Sequence, residues 1–166
     1  MSDAEYWIKK LGMIEHPEGG YFKEVYKAKE RIEEDALPDR FTGPRAFSTS
    51  IYFLLTGSNV SKFHRIKSDE LWHFYHGSPI TLHVLHQDGS YEQVHLGPDL
   101  EAGQEFQCVV PSGSWFGATV DQLDTYSLLG CTVAPGFDYD DFEMAEKEAL
   151  LEQYPEQSAI IEKLTE

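Results

Sequence analysis

The stretch Gly57–Gly77 reads GSNVSKFHRIKSDELWHFYHG. Two short runs rich in aromatic and β-branched residues, Phe63–Ile66 and Leu71–Tyr75, flank a polar turn, and that pattern predicts paired strands. Further runs follow on both sides at short spacing. Tyr21–Tyr26 and Phe47–Leu55 precede it. Ile80–His86, Tyr91–Leu96, Glu105–Val110, Ser114–Val120 and Thr125–Val133 come after. Gly, Pro, Asn and Asp punctuate them, and Asp88-Gly89 carries a hairpin signal. Many short strands with such punctuation predict an all-β sandwich, jelly roll or barrel.

The ends of the chain read as helical. Ser2 and Glu5 fit a capping box for a helix through about Lys10, which Gly12 can end. Asp140 reads as the N-cap of a second helix carrying Phe142, Ala145, Ala149 and Leu150, and Pro155 opens a third. Residues 27–45 read as a long loop. With 166 residues and 41% hydrophobic content, one domain over 1–166 suffices to bury a core. The barrel is expected over about 20–137 and the helical tail over about 140–165.

The net charge is −16. It repels phosphate backbones and anionic membranes, so neither nucleic acid nor membrane is expected as a partner. Residues 1–83 carry a net −1 and residues 84–166 a net −15, whereas residues 57–77 are net +1. The acidic excess reads as solvated surface. No apolar run approaches the ~20 residues of a membrane span, and Met-Ser-Asp-Ala-Glu lacks signal-peptide character. Cys108 and Cys131 each lie in an apolar stretch and read as free core thiols. A cytoplasmic setting is the expectation.

Chemistry-bearing side chains concentrate in the quoted stretch. His64 and Glu70 lie on strands around one turn, where they can meet inside a barrel as acid and base. Strand alternation puts Lys62, His64 and Ile66 on one face, and Glu70, Trp72 and Phe74 on the inward face of the next strand. Burial among aromatic rings is expected to raise Glu70 toward neutrality. Arg65 and Lys67 are candidates to meet a carboxylate or phosphate at the mouth. His73, His76, His83, His86 and His95 alternate along strands without ligand spacing. The bland reading of His64 is a structural histidine paired with Glu70.

The same residues resemble the cupin superfamily. His64, Glu70 and Gly77 match the first cupin motif, with Ile66 where a second His belongs. Gly103 and Pro111-Ser112-Gly113 match the second motif, with Phe116 where its His belongs. The resemblance is closest to a branch of small RmlC-like proteins catalogued as a domain of unknown function. It is carried by His16-Pro17-Glu18-Gly19-Gly20-Tyr21-Phe22, Asp69–Tyr75, Val110–Phe116 and Cys131–Phe137. The resemblance implies a double-stranded β-helix jelly roll, commonly dimeric, and the barrel architecture of sugar-nucleotide epimerases that work without metal.

The expected function is therefore a barrel that binds a small carbohydrate-like or nucleotide-sugar ligand and acts as a metal-independent isomerase or epimerase. His64 and Glu70 are the expected catalytic pair. Lys62, Arg65, Trp72, Phe74 and Phe116 are the expected substrate-binding residues. No cofactor is expected. One alternative is a non-catalytic binding or sensing module. Another is a metal enzyme completed by His73 or Glu24.

Overall fold

The computed structural model describes residues 2–165. In chain order it has α1 (Asp3–Leu11), β1 (Ile14–Glu15), β2 (Tyr21–Lys27), β3 (Arg31–Ile32), β4 (Arg45–Ala46), β5 (Thr49–Thr56), β6 (Val60–Arg65) and β7 (Asp69–Gly77). Then come β8 (Ile80–Leu85), β9 (Tyr91–Leu96), β10 (Gln107–Val110), β11 (Trp115–Val120), β12 (Tyr126–Ala134), β13 (Glu143–Met144), α2 (Lys147–Gln153) and α3 (Ser158–Lys163). One sheet has the order β1-β2-β5-β12-β7-β10, and the facing sheet β13-β6-β11-β8-β9. Strands far apart in sequence thus lie side by side, and the two sheets form the expected cupin jelly roll.

The inward residues of both sheets make one core. Phe53, Leu55, Trp72, Leu82, Phe116 and Leu129 belong to it, each 1% exposed or less. Alternation sends the neighbouring residues outward, where the terminal helices cover them. Leu54 and Leu128 pack under Trp7, Ile8 and Leu11 of α1. Phe63, Leu85 and Trp115 pack under Leu150, Tyr154, Ile161 and Leu164 of the tail. The Ser2–Glu5 capping box forms as read, and Gly12 ends α1 in the left-handed region.

Two sequence expectations need correction. Residues 27–45 are an ordered excursion, with β3 paired to β4 and Leu37 and Phe41 buried. The tail helix does not start after Asp140. Residues 139–141 form a 3₁₀ turn, and Glu143–Met144 pair with Arg65 and His64 of β6, so α2 begins at Lys147. Sheet pairing here overrides the helical spacing of Phe142 and Ala145.

These two segments are clasped together. The Arg45 guanidinium donates to both Asp141 oxygens, at 2.9 and 2.7 Å, and to the carbonyls of Thr42, Gly43 and Pro44. Both side chains are almost wholly buried. A buried bidentate pair whose Nη1 is also held by backbone carbonyls anchors the segment that carries Phe137, Tyr139 and Phe142.

Candidate functional site

The barrel encloses a cavity of about 130 Å³. Aromatic side chains wall it: Phe22 and Phe53 from the first sheet, Trp72 from β7, and Phe137, Tyr139 and Phe142 from the clasped segment. Ionisable residues are set into that wall: His16, Glu18, Glu24, His64 and Glu70. Glu24 and Tyr139 are exposed and mark the side open to solvent.

His64 does not bond to Glu70. Its Nε2 lies 2.7 Å from Glu18 Oε2, and its Nδ1 lies 2.8 Å from the Lys62 carbonyl. Both partners are acceptors, so both ring nitrogens carry a proton and His64 is an imidazolium. Burial opposes that charge, but Glu18, the Lys62 carbonyl and Glu70 together outweigh it and raise the His64 pKa. Burial likewise opposes ionisation of Glu18, and the His64 charge and hydrogen bond hold its pKa below the usual carboxylate value. Phe116 and Phe142 flank the imidazole, with ring centroids 4.1 and 5.4 Å away.

Glu18 reaches this position from the His16–Gly20 turn. Gly19 has φ 111°, and a Cβ there would stand 2.2 Å from the Val60 carbonyl oxygen. Only glycine lets the turn press so closely on β6. The Lys62 N–H donates to the Glu18 carbonyl, which ties the turn to the strand.

Glu70 is a separate group. The Trp72 indole N–H donates to one of its oxygens at 2.8 Å. Burial pushes its pKa to about 7, with the His64 charge and the Trp72 bond pulling down and Glu18 pushing up. At neutral pH this carboxyl both gives and takes a proton with little cost, which is what acid–base chemistry requires.

Of the expected site residues, His64, Glu70 and Trp72 line the cavity. Phe116 lies behind the His64 ring. Phe74 faces inward but packs into the core away from the cavity. Lys62 is displaced by a bulge. His64 pairs with Phe116 and Ser61 with Ala118, so Lys62 and Phe63 together oppose Gly117. The extra residue breaks the alternation, and Lys62 lines a different cleft beside Tyr21 and Asn59. Arg65 also lies elsewhere. It pairs with Glu143 at 2.8 Å and stacks over Trp115 at 4.3 Å, in a surface depression shared with Arg40 and Lys67. No Lys or Arg lines the cavity among the described residues. His16, Glu18 and the Phe137–Phe142 segment were missed as site residues. The one signal for them was two ionisable residues in a rigid Pro/Gly turn.

The family profile described as Cupin superfamily (DUF985) matches residues 5–145. The chain belongs to the cupin superfamily. A solved protein from Shewanella oneidensis is 39% identical to this cupin, with a TM-score of 0.87, covering 100% of this chain and 99% of that one. A hypothetical protein from Leishmania major is 37% identical, with a TM-score of 0.89 and 99% of each chain covered. An uncharacterized protein of Saccharomyces cerevisiae is 30% identical over 149 residues, which is 84% of this chain and 74% of the yeast protein. Oxalate decarboxylase from Bacillus subtilis shares the fold alone, at 15% identity and a TM-score of 0.55, over 92% of this chain and 37% of that one.

Many cupins hold a metal on the two motif histidines, their partner His and the Glu. The residues of this cupin do not fit one. Ile66 and Phe116 offer no donor atom at two of those four positions. His64 has both nitrogens occupied by protein acceptors. No three His, Cys, Asp or Glu side chains converge as ligands among the described residues.

Proposed function

We propose that this cupin binds a small, uncharged, sugar-like hydroxy-carbonyl compound and moves a proton on it without a metal, with Glu70 as the proton carrier. The observation that carries this reading is the Glu70 carboxyl, poised near neutrality in the cavity wall. A Glu70 carboxylate takes the proton from the carbon next to the carbonyl, the C–H electron pair passes into an enediolate, and the Glu70 acid, after exchange with solvent, returns a proton to that carbon. The His64–Glu18 pair is a fixed charge pair. It tunes Glu70, and it is not the free base that the motif match implied.

Size and charge narrow the ligand. An apolar cavity of ~150 Å³ holds a benzene-sized molecule, so a short-chain hydroxy-carbonyl compound of about six heavy atoms fits inside. The diphosphate of a nucleotide-sugar finds no Lys or Arg in the described lining, and Glu24 adds negative charge at the mouth. The carbohydrate-like half of the expected ligand is retained and the nucleotide half is not.

The test is deuterium incorporation from D₂O into small ketoses and aldoses, followed by NMR. Wild-type protein is expected to label the carbon next to the carbonyl, and Glu70→Gln to slow labelling ~10²-fold or more. Full labelling by the Glu70→Gln protein removes Glu70 from this role. Saturable binding without labelling supports the non-catalytic binding module instead, a reading favoured by the occupied nitrogens of His64.

A further inference from the structure

We infer that His16 is the hydrogen-bond donor for the substrate carbonyl oxygen in this cavity, acting as a neutral imidazole through Nε2–H. The inference rests on the proton-transfer reading of Glu70 and deepens it, because a base that removes a proton beside a carbonyl needs a partner for the oxygen.

The hydrogen bonding assigns the tautomer. The Glu18 backbone N–H donates to His16 Nδ1 at 3.2 Å, closer than the Glu18 carboxylate oxygen at 3.6 Å from the same nitrogen. A nitrogen that accepts carries no proton in the neutral ring, so Nε2 carries it. No hydrogen-bond acceptor for Nε2 occurs among the described residues, and the ring lines both the cavity and the cleft shared with Val60 and Lys62. The polar atom is not sealed in the core either. The one fully buried side-chain N or O without a partner among the described residues is the Ser61 hydroxyl.

The surroundings keep the ring still and uncharged. Phe22 and Phe53 meet it edge-on, at centroid distances of 4.8 and 5.8 Å, and Phe142 lies 6.4 Å away. Burial lowers its pKa most, and the His64 charge lowers it further against the opposing pull of Glu18. Glu24, Glu70, Cys131 and Tyr139 are the other ionisable groups of the lining. A neutral imidazole suits the task. It donates to an enediolate oxygen with less cost than an imidazolium would incur by losing its proton to that oxygen. Proton balance is then simple: the carbon proton goes to Glu70, the negative charge builds on oxygen, and His16 shares its proton without giving it up. One residue, Glu18, organises both histidines. Its carboxylate holds His64 protonated while its backbone N–H holds His16 in the donor tautomer.

The test combines long-range ¹H–¹⁵N NMR of the full-length labelled protein with hydroxyacetone as the probe. His16→Gln, whose amide nitrogen stands near the Nε2 position, assigns the resonances. Neutral Nε2–H signals at pH 7, and an Nε2 shift on adding hydroxyacetone, are expected. A protonated ring or the Nδ1–H tautomer at pH 7 overturns the inference. So does a Trp72 indole shift with hydroxyacetone while His16 stays silent. Silence of both residues removes the carbonyl substrate class and this inference with it. In deuterium labelling of hydroxyacetone, His16→Phe is expected to lose about 10²-fold, and His16→Gln to recover part of it. Equal rates for wild type and His16→Phe overturn the role of His16 alone. Equal rates for wild type and Glu70→Gln instead overturn the base reading.

Discussion

Glu18→Gln removes the charge that keeps His64 protonated, and its effect on stability follows from the two groups it couples. His64 titrates higher in the folded protein than in the unfolded chain. Its contribution is therefore complete below the unfolded value of ~6.5 and is lost as pH rises through the folded value. Glu18 titrates lower when folded. Its contribution is present above its unfolded value of ~4.3 and is lost as pH falls through the folded value. The pair is worth most between about pH 4.5 and 6.5. In Glu18→Gln the burial penalty on His64 loses its main opponent. The folded variant then holds a neutral His64 near pH 5.5 while its unfolded chain holds a charged one, so acid favours unfolding. Breaking a buried pair costs ~3–5 kcal/mol, but deprotonation of His64 relieves part of this, so about 3 kcal/mol is expected near pH 5.5. For a chain of this size that is a drop of roughly 6–12 °C in Tm. Near pH 9 an ordinary hydrogen bond between the introduced amide and His64 replaces the ion pair, and the gap should shrink to about 1 kcal/mol. Calorimetric or urea unfolding of both proteins across this range measures the gap directly. A gap that stays constant from pH 5.5 to 9, or a neutral His64 in the wild-type NMR spectrum at pH 6, refutes the assignment of a buried imidazolium.

Four shorter predictions follow from the same structure. Glu70→Gln should stabilise the protein above pH 7 by about 3 kcal/mol and change nothing below about pH 4.5, because the cost of the raised carboxyl accrues as the unfolded chain ionises and is complete once the folded group does; urea melts at pH 4.5 and 8.5 measure it. Arg45→Ala should cost about 3–5 kcal/mol by leaving Asp141 buried and unpaired, and limited proteolysis should then cut between 137 and 142. Gly19→Ala should cost more than about 2 kcal/mol, read by thermal melting, since its Cβ meets the Val60 backbone. Thiol reagents at pH 8 should modify Cys108 and Cys131 only on unfolding, as burial pushes Cys108 to about 12 and Cys131 well above the usual thiol value.

The strands were legible because their signal is local. Tyr91–Leu96 occupies the bounds its alternation predicts, and the runs around Gly57–Gly77 form β6 and β7. Burial on both faces did not blur them, since β-branched and aromatic residues mark a strand wherever it packs. Two kinds of feature were not legible. The bulge at Lys62–Phe63 depends on the partner strand, and no period along β6 announces it. The Glu18–His64 bond joins a Pro/Gly turn to a distant strand, and turn residues have no periodicity that says which way they point. Helical spacing misled at Phe142, because the pairing of Glu143–Met144 with β6 is a tertiary event.

Charge placement sharpens what this cupin does with its inherited motif. The chain carries −16, and the motif segment is net +1, which invites an anionic ligand. The structure sends that positive charge elsewhere: Arg65 to Glu143 and Trp115, and Lys62 to another cleft. Among the described residues of the lining the one cation is His64, and Glu18 neutralises it. An imidazole with a proton on each nitrogen is no metal ligand, and with His64 paired to Glu18 the described lining offers a phosphate no unpaired cation. Ile66 and Phe116 fill the places where ligands would stand, and the turn at His16–Gly20 supplies new polar groups from the other sheet. That arrangement is the one the proposed proton transfer on an uncharged molecule calls for. Stronger binding of a phosphorylated sugar than of its parent sugar, measured by calorimetry at low salt, would show that the ligand's charge is read outside this cavity and that the site extends toward Arg65.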